Sequence, residues 1–215
     1  MTASAALPAL LVFAKEPAPG SVKTRLAAAV GAARAAEVYR ELTNITLTCA
    51  AHARQGGVVG SIELWCSPDA ESPHFRGLAG GCRASLHRQG DGDLGSRMAD
   101  AIGDALTRAP AAVLVGTDCP VLTVPHLARA CRLLATHDAV LGPAEDGGYV
   151  LIGARRPVPM AGIRWSTPHA MADTIAGFAR AGIGWATLPA LWDVDDAADL
   201  ARWDALRRGS PVARA

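Results

Sequence analysis

One stretch constrains the fold more than any other: the apolar residues 111–115 run directly into a Gly-Thr-Asp-Cys-Pro turn at 116–120. An unbroken apolar run bounded by turn residues is typical of a strand that is buried on both faces, as in the middle of a parallel sheet. In open α/β sheets, ligands bind outside the carboxyl ends of the strands. Asp118, a lone carboxylate at such an end, is therefore the first candidate site residue.

Strand and helix patterns alternate through most of the chain. Strands are predicted over 10–14, 61–66, 84–87, 111–115, 139–141, 149–152 and 183–188, and helices over 31–54, 96–107, 125–136, 168–181 and 195–208. This alternation predicts an α/β fold, a three-layer α/β/α sandwich with a mostly parallel sheet. The Asp146-Gly147-Gly148 turn favours an antiparallel pair, so a mixed sheet is expected. No repeat or linker interrupts the pattern, which predicts a single domain over residues 1–215.

Composition excludes several classes of function. The chain has 215 residues, half of them hydrophobic, with 21 Lys plus Arg against 20 Asp plus Glu. This balance argues against a nucleic-acid binder. The five cysteines include no C-x-x-C pair, which suits reduced thiols in the cytoplasm. No window approaches the roughly 18 uncharged apolar residues of a membrane span. We therefore expect a cytoplasmic protein without a membrane span, and a homo-oligomer is compatible with the sequence.

The loop after the first strand is basic. Lys15, Lys23 and Arg25 lie within eleven residues. Cations beside a helix N-terminus form an anion site, because backbone N–H groups and the helix dipole add to their charge. The spacing is not that of a Walker A loop. Phosphate binding and a solvated basic turn remain equally open from the spacing alone.

A second loop, at residues 90–95, matches the dinucleotide pattern G-x-G-x-x-G. Asp91 and Asp93 within it would repel a pyrophosphate, and the preceding strand is polar. These features disfavour an NAD site. Gly92 and Gly95 nevertheless allow a ligand to approach the backbone closely.

Carboxylates supply candidate metal ligands. Asp118 at a strand end suits a hard cation such as Mg²⁺ or Mn²⁺, which is usually shared with substrate phosphates, although an Asp that caps a turn is the alternative. Asp193, Asp195 and Asp196 follow the last predicted strand. Capping of the final helix explains one or two of them, and Asp193 least well.

Asp146-Gly147-Gly148 is the remaining candidate loop. Asp-Gly is a hairpin signal. Two glycines beside an acid also fit a loop that lets a sugar or a phosphate lie against the backbone.

Six motifs occur in one order along the chain. They are Lys15-x-x-x-x-Gly20-x-x-Lys23-Thr24-Arg25-Leu26, Gly92-Asp93-Leu94-Gly95-x-Arg97-Met98, Gly116-x-Asp118-Cys119-Pro120, Gly142-Pro143-x-x-Asp146-Gly147-Gly148-Tyr149, Trp165-Ser166-Thr167 and Asp193-x-Asp195. Their order resembles the small bacterial GT-A-type transferases known as arsenosugar-biosynthesis-type glycosyltransferases or as a domain of unknown function. That family is similar in fold to the guanylyltransferases of molybdenum-cofactor and F420 synthesis.

The resemblance implies a GT-A, nucleotide-diphospho-sugar transferase type of fold that uses Mg²⁺ or Mn²⁺. Carried over, the metal ligands are Asp118 with Asp193 or Asp195. Phosphates would meet Lys15, Lys23 and Arg25, and the Asp146-Gly147-Gly148 turn would line the acceptor or sugar side.

Three hypotheses about function follow. The first is glycosyl transfer from a nucleotide-diphosphate sugar to a small-molecule acceptor, with Asp118 and Asp146 as catalytic residues and Asp146 as general base or acceptor anchor. The second is nucleotidyl transfer from an NTP to a phosphorylated acceptor, with release of pyrophosphate. The third is a nucleotide-binding module without turnover.

Overall fold

Seven strands and seven helices alternate in the computed structural model, which describes residues 6–209; the outermost residues of the predicted domain, 1–5 and 210–215, lie outside the described residues. The strands are β1 Ala9–Lys15, β2 Ser61–Ser67, β3 Ser85–Arg88, β4 Ala112–Val115, β5 Ala139–Pro143, β6 Tyr149–Ala154 and β7 Trp185–Thr187. The helices are α1 Thr24–Val30, α2 Ala32–Gln55, α3 Pro73–Cys82, α4 Leu94–Leu106, α5 Val124–Leu133, α6 Ala170–Arg180 and α7 Ala197–Gly209.

The strands form one mixed sheet in the order β3-β2-β1-β4-β6-β5-β7. Every neighbouring pair is parallel except those of β6, which runs antiparallel to both β4 and β5. The carboxyl ends of β1 and β4 therefore lie at the same edge of the sheet as the first residues of β6. This edge is where an open α/β sheet binds ligands.

Helices cover both faces of the sheet. On one face, α2, α3 and α5 pack on alternate residues of the central strands, such as Leu10 and Val12. On the other face, α4 and α6 pack on the intervening residues, such as Leu11 and Phe13. The two-residue period of a strand thus divides the apolar residues of β1 between two cores.

A third apolar cluster joins α1, α2 and α7. Leu26, Leu42 and Trp203 belong to it, together with Trp192 and Val194 from the segment that precedes α7. This packing anchors the start of α1 and the acidic segment before α7 to the same part of the molecule.

The fold class predicted from the sequence is confirmed, because the structure is a three-layer α/β sandwich with a mostly parallel, mixed sheet. The Asp146-Gly147-Gly148 turn joins β5 to the antiparallel β6, as its sequence predicts. Within residues 6–209, none of the helices combines the length and the apolar character that crossing a membrane requires.

The helices differ from the sequence prediction by one added element and at several boundaries; α5, for example, ends at Leu133 rather than at residue 136. A separate short helix, α1, precedes α2, and Gly31 between them has φ +83°, a positive φ that glycine adopts readily and that ends α1. Helix α6 begins at Ala170 rather than Pro168. The Thr167 hydroxyl accepts a hydrogen bond from His169 N–H, which keeps the intervening residues in a turn.

Candidate active site

A cavity of about 640 Å³ opens at the carboxyl edge of the sheet. Its walls come from the ends of β1 and β4, the first residues of β6, the loops that precede α1 and α7, and the first turns of α4. Its size falls within the range of about 300–1,000 Å³ that is typical of small-molecule sites.

Lys23 lies at the centre of the charged wall. Its ammonium group is 2.7 Å from Asp118 Oδ1 and 2.8 Å from Asp195 Oδ1, and its side chain is only 4% exposed. Burial by itself would lower the pKa of Lys23, but the two carboxylates outweigh that effect and raise it above its ordinary value. The ammonium is therefore charged and engaged with protein carboxylates.

Three carboxylates form a group beside this ion pair. One oxygen from each of Asp146, Asp193 and Asp195 lies within 4.8 Å of the others. Burial, and then the charges of Asp195 and Asp146, raise the pKa of Asp193 to about 7. We call Asp146, Asp193 and Asp195 the active-site carboxylates. The charges of Asp195 and Asp146 therefore add to the effect of burial on Asp193.

Local hydrogen bonds place these acids. Asp146 Oδ1 accepts from Gly148 N–H at 2.8 Å, which closes the turn between β5 and β6. The backbone N–H of Val194 donates to the carbonyl of Asp118 at 3.0 Å and joins the segment before α7 to the end of β4. Asp196 caps α7, since its Oδ1 accepts from the N–H groups of Ala198 and Asp199.

Three cations line the cavity around this acidic centre. Lys15 stands exposed at the end of β1, and the side chain of Arg25 is 68% exposed beside Asp195 and Asp196 at 3.6 and 3.8 Å. Arg97 on α4 donates to Gln89 Oε1 at 3.3 Å. An anion entering the cavity therefore meets positive charge on several sides.

The structure brings together most of the residues that the sequence singles out. Lys15, Lys23, Arg25, Asp118, Asp146, Gly148, Asp193 and Asp195 all line the cavity. Lys23 faces carboxylates rather than open cavity, and Asp118 faces Lys23 rather than the active-site carboxylates. The functional roles given to these residues from the sequence stay predictions.

Three predicted glycines lie off the cavity wall. A Cβ at Gly95 would come within 2.7 Å of both Met160 O and Trp165 Nε1, so this glycine permits close packing of α4. A Cβ at Gly147 would overlap Pro168 O, and the turn there has φ +90°. Gly92 has φ +95° in the loop before α4. These conformations and contacts explain the glycines structurally.

Some residues of the cavity were not predicted from the sequence. Gln89 is buried, donates to the carbonyls of Ala14 and Trp65, and accepts from Arg97. The Tyr39 hydroxyl accepts from Lys15 N–H at 2.8 Å and from the Thr117 hydroxyl at 3.0 Å. Gln89 follows the parallel strand β3, so its position at a strand end was the available signal.

The Trp165–Thr167 segment also lines the cavity. Arg164 binds Asp173 of α6 through both guanidinium nitrogens, at 2.9 and 2.8 Å, and its own backbone N–H donates to the same carboxylate at 3.0 Å. Trp165 contacts Tyr149 edge to face, with ring centroids 6.1 Å apart. The segment is thus held in place from both sides.

Comparison with solved structures places the fold among nucleotide-dependent transferases. A candidate nucleotide-diphospho-sugar transferase from Desulfovibrio desulfuricans G20 is 31% identical, with a TM-score of 0.83 over 97% of this chain and 90% of that one. CMP:2-keto-3-deoxy-manno-octonic acid synthetase in complex with CTP has a TM-score of 0.56 at 14% identity, over 94% of this chain and 98% of that one.

Glucosyl-3-phosphoglycerate synthase from Mycobacterium tuberculosis, in complex with Mn²⁺, UDP and glucosyl-3-phosphoglycerate, has a TM-score of 0.54 at 10% identity, over 92% of this chain and 75% of that one. At such low identity, the synthetase and this synthase share the fold with the chain. The fold is therefore of the GT-A, nucleotide-diphospho-sugar transferase type.

No curated protein matches the sequence significantly. A family model does match residues 49–167, which are more than half of the chain. The chain therefore belongs to the DUF2064 family, which is described as an uncharacterized protein conserved in bacteria.

Proposed function

We propose that the protein is a metal-dependent glycosyltransferase that uses a nucleotide-diphosphate sugar as donor. The active-site carboxylates carry this proposal, because they lie at the ligand-binding edge of a GT-A-type sheet, within a cavity of about 640 Å³ that cations also line. The 31% identity to the candidate nucleotide-diphospho-sugar transferase supports the choice of donor. Residues from Phe13 to Asp195 line the same cavity, which supports a single domain.

The carboxylates fit a divalent cation. Oxygen ligands suit Mg²⁺ and Mn²⁺, and the raised pKa of Asp193, about 7, reflects its burial and the neighbouring charges of Asp195 and Asp146. We assign the ion to Asp193 and Asp195, which are half-buried. When bound, the ion would neutralise charge that builds on the departing diphosphate.

The basic side chains of the cavity are assigned to the diphosphate of the donor. Lys15 and Arg25, with Arg97 from α4, line the cavity around the acidic group. In this proposal they bind the diphosphate and stabilise it as the bond between the sugar carbon and the phosphate oxygen breaks. Gln89 orients Arg97 for this contact.

Asp146 is assigned to the acceptor side. It is the exposed member of the active-site carboxylates, and Gly148 N–H fixes one of its oxygens. An acceptor hydroxyl that attacks the sugar carbon must lose its proton, and Asp146 would take it as the general base. The arsenosugar-biosynthesis role that the family resemblance implies stays a prediction.

Nucleotidyl transfer is the second candidate. The synthetase bound to CTP shares this fold, and the same cations and carboxylates could stabilise pyrophosphate leaving an NTP. In that reaction a phosphorylated acceptor attacks the α-phosphate, and the bond between the α- and β-phosphates breaks.

A ligand screen tests the proposal. We expect nucleotide-diphosphate sugars with Mn²⁺ to raise the melting temperature, since a ligand that binds the native state stabilises it. The same mixtures should slowly release nucleoside diphosphate. If only NTPs stabilise the protein, and pyrophosphate appears with a phosphorylated acceptor, the second candidate replaces the first. Stabilisation without any turnover would leave a binding module.

Paired variants test the assigned roles. Asp146→Asn should lower kcat by about 100-fold or more while leaving Mn²⁺ affinity within about tenfold, as expected of a general base. Asp193→Asn should instead abolish Mn²⁺ binding at concentrations that saturate the wild type. Equal losses of Mn²⁺ affinity in the two variants would contradict this division of roles.

A further inference from the structure

The ammonium of Lys23 occupies the space between two carboxylates. Asp118 Oδ1 lies 2.7 Å from it and Asp195 Oδ1 lies 2.8 Å from it, and the side chain is 4% exposed. Asp195 also belongs to the active-site carboxylates. One carboxylate is therefore shared between the lysine and the proposed cation site, whereas Asp118 is bound to the lysine alone.

Three separate loops meet at this ammonium. Lys23 comes from the segment before α1, Asp118 follows β4, and Asp195 precedes α7. The hydrogen bond from Val194 N–H to the Asp118 carbonyl, 3.0 Å long, joins two of these loops independently. The lysine thus adds a charged link between segments that are far apart in the sequence.

The backbone of Lys23 is in an unfavourable conformation. Its φ of 50° and ψ of 47° lie in the left-handed region, and it occupies the N-cap position of α1 without a side-chain cap. Such a conformation costs a non-glycine residue free energy and persists only where surrounding contacts determine it. The two ion pairs of the ammonium, and the hydrogen bond that the Lys23 carbonyl accepts from Ala27 N–H at 2.8 Å, are contacts that hold this residue in place.

We propose that Lys23 is a positioning residue that takes the place of a second divalent ion. This inference rests on the proposed function, because it concerns the same cation site. The ammonium lies against Asp118 Oδ1 and Asp195 Oδ1, and Asp118 is outside the group of carboxylates that converge within 4.8 Å, so we do not count it among the ligands of the ion. Asp193 and the remaining oxygen of Asp195 then bind a single ion.

This role differs from that of a phosphate ligand. A phosphate could reach the Lys23 ammonium only by displacing a carboxylate from a side chain that is almost fully buried. Lys15 and Arg25 are exposed in the same cavity and are open to an anion. In the basic loop after β1, Lys15 and Arg25 therefore bind the substrate, whereas Lys23 positions the carboxylates.

Titration with Mn²⁺, followed by the electron paramagnetic resonance signal of the free ion, tests this directly. We expect the wild type to bind a single Mn²⁺ ion and Lys23→Met to bind a second one. Lys15→Met is the matched control, because it removes a positive charge from the same cavity without freeing a carboxylate; it should keep a single ion. In the double variant Lys23→Met with Asp118→Asn, the second ion should be lost again.

Variants that retain Lys23 provide an independent measurement, in case Lys23→Met does not fold. Asp118→Asn should weaken Mn²⁺ binding by at most about tenfold, which is the effect of removing one charge nearby. Asp193→Asn should weaken it by about 100-fold or more, which is the effect of removing a ligand.

The outcomes separate this inference from the proposed function. Two Mn²⁺ ions on the wild type, a single ion on folded Lys23→Met, or equal losses in Asp118→Asn and Asp193→Asn would overturn the role of Lys23 and leave a metal-dependent enzyme. Failure of the wild type to bind Mn²⁺ at all, with or without a nucleotide sugar, would overturn both.

Discussion

Two groups of potential metal ligands occur in the described part of the chain, and they differ in how their charge is balanced. The active-site carboxylates lie at the ligand-binding edge of the sheet. The other group consists of Glu63, His87 and Asp104, which also converge within 4.8 Å. We call it the α4 cluster, because Asp104 lies on that helix. Side-chain chemistry alone would make either group a candidate metal site.

The α4 cluster contains its own cation. Arg108 lies 3.1 Å from Glu63 Oε1 and 2.8 Å from Asp104 Oδ2, and Trp65 Nε1 donates to Glu63 Oε2 at 3.2 Å. His87 stacks on Trp65, with ring centroids 4.8 Å apart. Glu63 is buried, but every oxygen of its carboxylate has a donor. This group is a structural ion pair.

The active-site carboxylates are not balanced in this way. Lys23 forms ion pairs with Asp118 and Asp195. Asp193 is half-buried near other carboxylates, and its pKa is raised to about 7. Converging acids therefore indicate a ligand site when a half-buried carboxylate among them has no basic side chain paired with it, as holds for Asp193 within residues 6–209. This contrast leads to four predictions.

The largest effect is expected from Asp193→Asn. It should reduce Mn²⁺ affinity by about 100-fold or more, because even an outer partner of a metal ligand can be worth 10–100-fold. In metal-free buffer the variant should melt at a higher temperature than the wild type, since a like charge has been removed. Glu63→Gln is the matched control in the α4 cluster and should leave Mn²⁺ affinity unchanged.

Arg108→Met tests the α4 cluster itself. It leaves the buried Glu63 carboxylate without its counter-ion, and we expect the free energy of unfolding to fall by about 2 kcal/mol, reduced from the fully buried case because Arg108 is half exposed. Urea denaturation measures this. Arg88→Met breaks an ion pair that is exposed at both ends and should cost less than about 0.5 kcal/mol. Equal losses in the two variants would contradict the structural role.

The pH dependence of the free energy of unfolding, measured without metal, tests the raised pKa of Asp193. Its folded pKa of about 7 lies above the ordinary value of 3.8, so the folded state binds the proton more tightly than the unfolded state. This contribution is fully present below pH 4 and is lost as the pH rises towards and through 7; we expect a loss on the order of 2 kcal/mol.

The measurement is the difference between wild type and Asp193→Asn in urea midpoint across pH 4–8. Taking this difference removes the opposite contribution of His74 and His126, whose pKa values are lowered by burial. A pH-independent difference between the two proteins would show that Asp193 is not a buried acid among like charges.

The smallest effect is expected from Arg25→Met. The side chain is 68% exposed and its contacts with Asp195 and Asp196 are 3.6 and 3.8 Å long, so the free energy of unfolding should change by less than about 0.5 kcal/mol. Affinity for a nucleoside diphosphate with Mn²⁺ should fall by about fivefold, as for the loss of one charge-assisted contact. Calorimetric titration measures it, and unchanged affinity would remove Arg25 from the diphosphate site.

Most of the fold could be predicted because strands and helices differ in hydrophobic period. The buried run before Asp118 and the helix of residues 96–107 were located within two residues of β4 and α4. Helix α1 was missed because its seven Ala-rich residues carry no capping signal. The start of α6 was placed too early because a turn stabilised by Thr167 competes with the first helical residues.

The site was less predictable. Residues 90–95 carry glycines in a phosphate-loop spacing, yet Gly95 is required by Trp165, which follows seventy residues later. Packing against a distant residue leaves no local trace in the sequence. Gln89 follows β3 directly, so its position was visible in the sequence, but its partners Ala14 and Arg97 belong to other elements and became apparent only in the structure.

The alternation of elements, the burial of β4 and the basic and acidic loops at strand ends can be read from the sequence, because hydrophobic periodicity and turn residues act over short distances. Which charges lie next to each other depends on the folded chain. Lys23 is separated by 172 residues from Asp195, and the sheet order and the packing of α7 bring them to 2.8 Å. Electrostatic interactions depend on distance and burial in space, so the division between the lysine-bound Asp118 and the active-site carboxylates could be known only from the folded chain.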